Sequence, residues 1–142
     1  MENDAFKLLG IKEKTSSKGQ SAIYMIDLVQ NRLTKRNLQN IKSHSGLSYS
    51  TLANILSIST KTIESYSPGD KFSESASERL LKLAEVIAFG KKVFGKEDLF
   101  NDWLSKPLRP LDGKRPIDVM VNFYGLELIR NLLGRIEHSV YS

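Results

Sequence analysis

Residues 48 to 66 read Ser48-Tyr49-Ser50-Thr51-Leu52-Ala53-Asn54-Ile55-Leu56-Ser57-Ile58-Ser59-Thr60-Lys61-Thr62-Ile63-Glu64-Ser65-Tyr66. Ser48 stands as an N-cap before Leu52, Ala53, Ile55 and Leu56, because a serine hydroxyl can accept from an otherwise unpaired amide of a first helical turn. Ser59 repeats the arrangement before Ile63 and Tyr66. The stretch therefore predicts two short helices joined by a tight turn.

A helix-turn-helix unit needs a small residue where its helices cross, apolar residues facing inward on each, and a polar outward face on the second. Ala53 is the small residue, and Leu52, Leu56, Ile58, Ile63 and Tyr66 are the inward set. Ser57 occupies the turn where glycine is usual, which suits only a turn that does not strongly demand a positive φ. Two packed core helices with a solvated polar face satisfy the same pattern, so the residues alone leave both readings open.

Upstream, residues 12 to 22 are small and polar with no apolar period, and residues 1–22 read as a flexible tail whose Lys12, Lys14 and Lys18 can reach phosphates. Ile23, Ile26, Val29, Leu33, Leu38 and Ile41 recur at helical spacing until Gly46, predicting one or two helices. Downstream, Pro68-Gly69-Asp70 marks a stop, and Ser73 or Ser75 caps a long helix from about Glu74 to Phe94. Its Leu80, Leu81, Leu83, Ala84, Val86, Ile87 and Ala88 cover most of its girth, so it packs either within one chain or partly against a second subunit.

Gly95 ends that helix, and a short one follows around Leu99, Phe100, Trp103 and Leu104. Pro107, Pro110 and Gly113 enforce a loop, and Pro116 opens a helix through Phe123. The last helix presents Ile129, Leu132, Leu133, Ile136 and Val140 on one face. No strand pattern appears. The expected fold is all-α, with an N-terminal helix-turn-helix bundle joined by a long helix to a small helical C-terminal domain.

Composition bounds the function. The 142 residues hold one compact domain or two small units sharing a core. With no cysteine, thiolate chemistry and thiolate metal sites are excluded. His44 and His138 are the only histidines, and neither a phosphate-cradling glycine loop nor a His–carboxylate cluster at metal spacing occurs, so no enzyme, metal or cofactor is expected. No membrane-spanning stretch or signal peptide is legible, which places the expected location in the cytoplasm. The net charge is +5, and residues 1 to 72 hold ten Lys/Arg against six Asp/Glu, a surplus that suits a polyanion or a solvated surface.

The C-terminal landmarks are Val93-Phe94-Gly95, Trp103-Leu104, Pro107, Leu111-Asp112-Gly113, Pro116-Ile117-Asp118-Val119-Met120, Gly125, and Leu133-Gly134-Arg135-Ile136-Glu137-His138-Ser139-Val140-Tyr141-Ser142. Phe94, Trp103 and Leu104 also read as core, and the prolines and glycines as turn punctuation. In order and spacing these residues resemble the C-terminal toxin-binding domain of the Xre/MbcA/ParS antitoxin family, and residues 49 to 66 resemble its Xre-type helix-turn-helix. The resemblance covers about residues 25 to 142 and implies an Xre-like DNA-binding domain at 23–72 and a toxin-binding domain at 73–142.

On that alignment Ser59, Thr60, Lys61, Glu64 and Ser65 are the outward positions of the second helix, with Thr62 and Lys71 near the DNA backbone. Hydroxyls and one lysine suit phosphate contacts and modest base readout, whereas Glu64 must find a cytosine amino group or repel phosphate. The resemblance further implies a type II antitoxin that neutralises a cognate RES-domain toxin, which consumes NAD or transfers ADP-ribose. Arg135 and Glu137 would pair with charged groups of the toxin cleft, while His138, Val140, Tyr141 and the Ser142 carboxylate plug it. A homodimer on double-stranded operator DNA, within a larger toxin–antitoxin complex, belongs to the same expectation. The rival expectation is a free-standing transcriptional regulator without a toxin, distinguishable by whether a neighbouring gene encodes a RES-type domain.

Overall fold

A computed structural model describes residues 2–12 and 21–141 of the chain. The helices are α1 (Glu2–Leu9), α2 (Ser21–Asn31), α3 (Lys35–Ser45), α4 (Tyr49–Leu56), α5 (Thr60–Ser65), α6 (Glu74–Phe94), α7 (Glu97–Leu104), α8 (Pro116–Val119) and α9 (Phe123–Tyr141), with a 3₁₀ turn at Arg109–Leu111. Among the described residues there is no strand, and pairing is limited to isolated bridges between Thr34 and Lys71 and between Leu108 and Lys114. The all-α expectation holds.

Helix α6 is the axis. Ser73 caps it by accepting from the Ala76 amide at 3.1 Å, Lys91 and Lys92 complement the dipole in its last turn, and Gly95 leaves it at φ 76°. Leu80, Leu81, Leu83, Ala84, Val86, Ile87, Ala88 and Phe89 are all buried within one chain, because α1, α2, α3, α4, α7 and α9 pack around them. These side chains therefore serve the intramolecular core and not a subunit interface. Gly90 is required by close approach: a Cβ there would lie 2.2 Å from the Phe100 ring.

The first described segment corrects the expected tail. Residues 2–9 form α1, and Ala5, Phe6, Leu8 and Leu9 are buried against α6 and α3. An eight-residue helix is marginal alone, so its stability comes from this apolar face. Its end is tied down by the Asn37 and Asn40 side-chain amides, which donate to the Leu9 carbonyl at 2.9 and 3.0 Å, and Phe6 meets the Tyr24 ring edge-on at 5.3 Å. Lys14 and Lys18 lie outside the described residues. Ser21 and Ala22, also assigned to the tail, already belong to α2.

The apolar recurrence from Ile23 to Gly46 resolves into two helices, α2 and α3, as one of its two readings expects. Ile23 and Ile26 are exposed, α2 ends at Asn31, Arg32 turns at φ 67°, and Leu33 is buried in the linker that follows. Capping sites fall where the sequence puts them: Ser48 accepts from Thr51, Ser59 from Thr62, and Gly46 closes α3 at φ 74°. Thr34 and Asn37 add a reciprocal capping box at the start of α3.

At the C-terminal side, the helix opened by Pro116 lasts one turn instead of running to Phe123. Val121 bonds back to Val119 at 2.8 Å, and the Asn122 side chain accepts from the Gly125 amide at 3.0 Å, starting α9. A Cβ on Gly125 would lie 1.8 Å from the Val119 carbonyl oxygen, so glycine lets the start of α9 pass against the end of α8.

Ser57 does adopt the left-handed turn conformation, at φ 57° and ψ 40°, contrary to the condition its side chain suggested. An L-residue there costs about 1–2 kcal/mol relative to the right-handed region, a penalty glycine escapes. Ser57→Gly should raise stability by up to about 1 kcal/mol in urea unfolding, and a loss would contradict the strain. Ser77 is fully buried and its hydroxyl accepts from the Leu33 amide at 2.8 Å. Ser77→Ala leaves that amide unpaired, with an expected loss of about 1–3 kcal/mol by the same measurement.

Candidate nucleic-acid and protein interfaces

Helices α4 and α5 pack together, with Ala53 buried beside Leu52, Leu56 and Ile63 and with Ile58 and Tyr66 half-buried. Tyr66 stacks on Phe72 at 5.2 Å, which anchors the end of α5 to the core. Arg79 of α6 donates to the Leu56 carbonyl at 3.2 Å and holds the end of α4 from below. The inward set of the motif is thus assembled as its spacing predicts.

On the outward side, Ser59, Lys61, Thr62, Glu64, Ser65 and Lys71 are exposed and Thr60 is half-buried. The hydroxyls are not all free. Ser59 Oγ and Thr62 Oγ1 share a hydrogen bond of 2.7 Å, and Ser65 Oγ donates to the Thr62 carbonyl at 2.6 Å. Lys61 and Glu64 form no ion pair among the described residues. Helix α5 has six residues, about 9 Å of axis, and so presents few side chains to a groove. Lys35, which the sequence reading did not single out, donates from Nζ to the Tyr66 carbonyl at 2.7 Å and caps the end of α5. Its partner lies 31 residues away, so no local pattern announced this role.

Beside this surface runs a cleft of about 480 Å³, lined on one side by Ser50, Asn54, Ser59 and Thr60 and on the other by Ser105, Arg115, Ile117 and Asp118. Arg115 grips Asp118 in a two-pronged pair, Nε to Oδ2 at 2.6 Å and Nη2 to Oδ1 at 2.9 Å. The hydrogen bond from Arg115 holds the Asp118 carboxyl below its ordinary pKa, and the same bond raises that of the guanidinium. The pair itself is local, three residues apart at the start of α8; what sequence reasoning missed is its place beside α4 and α5, which only the fold supplies.

The expected toxin-facing residues are distributed along the end of α9. Arg135 and His138 are exposed, whereas Glu137 is half-buried and faces Lys92 of α6 at 3.9 Å. That contact is long and partly solvated, hence weak. Arg135, Ile136 and Ser139 line an apolar groove of about 400 Å³ together with Trp103, Leu108, Pro110 and Leu132. Val140 and Tyr141 continue the helical backbone, and Ser142 lies outside the described residues. The groove residues Trp103, Leu108 and Pro110 were read as core and loop, and nothing in their local spacing distinguishes a groove wall from a core contact. Among the described residues no cluster of three or more His, Asp or Glu could hold a metal ion.

Comparison with known proteins agrees with both halves. Residues 25–85 match the antitoxin Xre-like helix-turn-helix domain, and residues 90–138 match the antitoxin Xre/MbcA/ParS C-terminal toxin-binding domain. The first match ends and the second begins inside α6. The chain is also similar to a protein named antitoxin Xre from Photorhabdus laumondii subsp. laumondii, 31% identical over 93 residues, which span 62% of this chain and 63% of that protein. Around one axial helix the chain thus carries, in tandem, a stretch similar to the antitoxin Xre-like helix-turn-helix domain and a stretch similar to the antitoxin Xre/MbcA/ParS C-terminal toxin-binding domain.

Proposed function

We propose that the protein is the antitoxin of a type II toxin–antitoxin system: it neutralises a RES-domain toxin by occluding the active site where NAD is consumed or ADP-ribose transferred, and it binds double-stranded operator DNA to regulate its own operon. The observation that carries the reading is the end of α9, where exposed Arg135 lines an apolar groove in a chain whose C-terminal half matches a toxin-binding domain. An apolar groove supplies area to a partner, and a cation at its rim supplies orientation. Arg135, Glu137, His138, Val140, Tyr141 and Ser142 make the inhibitory contacts, with Glu137 exchanging Lys92 for a toxin cation.

DNA binding rests on the helix-turn-helix surface of Ser59, Thr60, Lys61, Thr62, Glu64, Ser65 and Lys71. One exposed lysine on so short a recognition helix supports only a modest grip per subunit, and a homodimer on paired half-sites about one DNA turn apart multiplies it. The site of action is the cytoplasm; among the described residues no helix is long and apolar enough to cross a membrane.

Deleting His138 to Ser142 should abolish neutralisation in cells co-expressing a cognate RES-domain toxin while leaving the thermal transition of the purified antitoxin in place. Full protection by the truncated chain would remove the plug mechanism. Lys61→Ala and Thr60→Ala should each weaken binding to a duplex from the region upstream of the gene in gel shifts at fixed salt, with neutralisation unchanged. Unaltered DNA affinity in both variants would count against α5 as the reading helix.

A further inference from the structure

The cation count of the DNA-facing surface is low. The α5 helix contributes Lys61, and Lys35 is committed to carbonyls at the end of that helix. Across the cleft beside Ser59 and Thr60, however, stands Arg115, which belongs to the C-terminal domain. Arg115 and Asp118 are the cleft's charged residues; the wall opposite them offers the hydroxyls of Ser50, Ser59 and Thr60 and the side-chain amide of Asn54. Hydroxyls, an amide and a guanidinium are the donors that hold phosphodiester oxygens.

Resting on the DNA-binding reading above, we propose that Arg115 is a DNA-contacting residue: it binds a backbone phosphate at the edge of the duplex whose groove receives α5, and Asp118 holds it in place until DNA arrives. The two-pronged geometry of the pair, 2.6 and 2.9 Å, is the geometry with which a guanidinium grips a phosphate. Both side chains are exposed, so the pair is screened by water and exchanging one oxyanion for another costs little. The domain matched as toxin-binding then also touches DNA, which places α8 on a surface that both partners can influence.

The two residues carry opposite signs, which makes the test specific. Binding of the full-length protein to a duplex from the region upstream of the gene is measured by fluorescence anisotropy between about 50 and 200 mM salt. Losing one phosphate contact lowers the slope of log K against log salt by about 0.9, equivalent to about a threefold change across that range. Arg115→Ala should weaken binding and flatten the slope by this amount, and Arg115→Lys should restore most of it. Asp118→Asn should tighten binding, because it releases the guanidinium and removes the cleft's carboxylate. Lys96→Ala, which deletes the same charge outside the cleft, should stay within about twofold of the parent. An unchanged slope in Arg115→Ala alongside weakened Lys61→Ala overturns the inference and leaves the DNA-binding reading standing. Tighter binding by Arg115→Ala identifies α8 as an obstruction to DNA and also overturns it. No binding by the parent chain overturns both.

Discussion

A helix that is apolar around most of its circumference cannot remain at a surface, and α6 imposes that constraint on everything else. An amphipathic helix needs one packing partner, whereas α6 needs enclosure, with Leu80, Leu83, Ala84, Val86 and Ile87 pointing in different directions yet all buried. Six other helices supply the walls. The DNA-facing unit and the C-terminal unit therefore cannot be a pair of beads on a linker. They share one core and adjoin at the cleft between α8 and α4–α5, so their surfaces are held in a fixed relation.

The ends of the enclosing helices are positioned by side chains that reach across the sequence to backbone groups. Ser77 accepts from Leu33, Arg79 donates to Leu56, Lys91 donates to His44 at 2.9 Å, and Asn101 donates to Ser45 at 3.2 Å. Each satisfies a group at a helix end or a linker that secondary structure leaves without a partner. No buried side-chain nitrogen or oxygen among the described residues lacks a hydrogen bond. Apolar burial thus decides that the helices gather around α6, and these polar ties decide where each one stops.

What this leaves at the surface differs between the two sides. Around α5 the exposed groups are hydroxyls already engaged in capping, one lysine and one glutamate, a surface of low charge for a polyanion. At the end of α9 an apolar groove meets the exposed Arg135 side chain. The first favours shallow, salt-sensitive contacts that gain from repetition; the second favours an area-driven contact with a protein. The groove is the rim of the shared core, since Leu132 is buried in it and Trp103 and Leu108 pack against it, whereas the polar groups around α5 stand outside it.

The local signals were legible in the sequence because their chemistry acts over a few residues. Ser48, Ser59 and Ser73 accept from amides three positions on, Gly46 and Gly95 leave their helices with positive φ, and Ala53 with Leu52, Leu56 and Ile63 forms the inward set of the helix-turn-helix. The same limit explains the misreadings. Residues 5 to 9 carry too few apolar side chains to hold a helix without α6, and Pro116 cannot tell how soon Asn122 will start the next helix. Sequence alone determined the helical class, most caps and the outward face of α5, since periodicity and capping are near-neighbour physics. Only the tertiary structure decided that Lys35 is spent on a helix end, that Glu137 meets Lys92, and that Arg115 faces Ser59, because these contacts join residues 31 to 56 positions apart that only packing around α6 brings together.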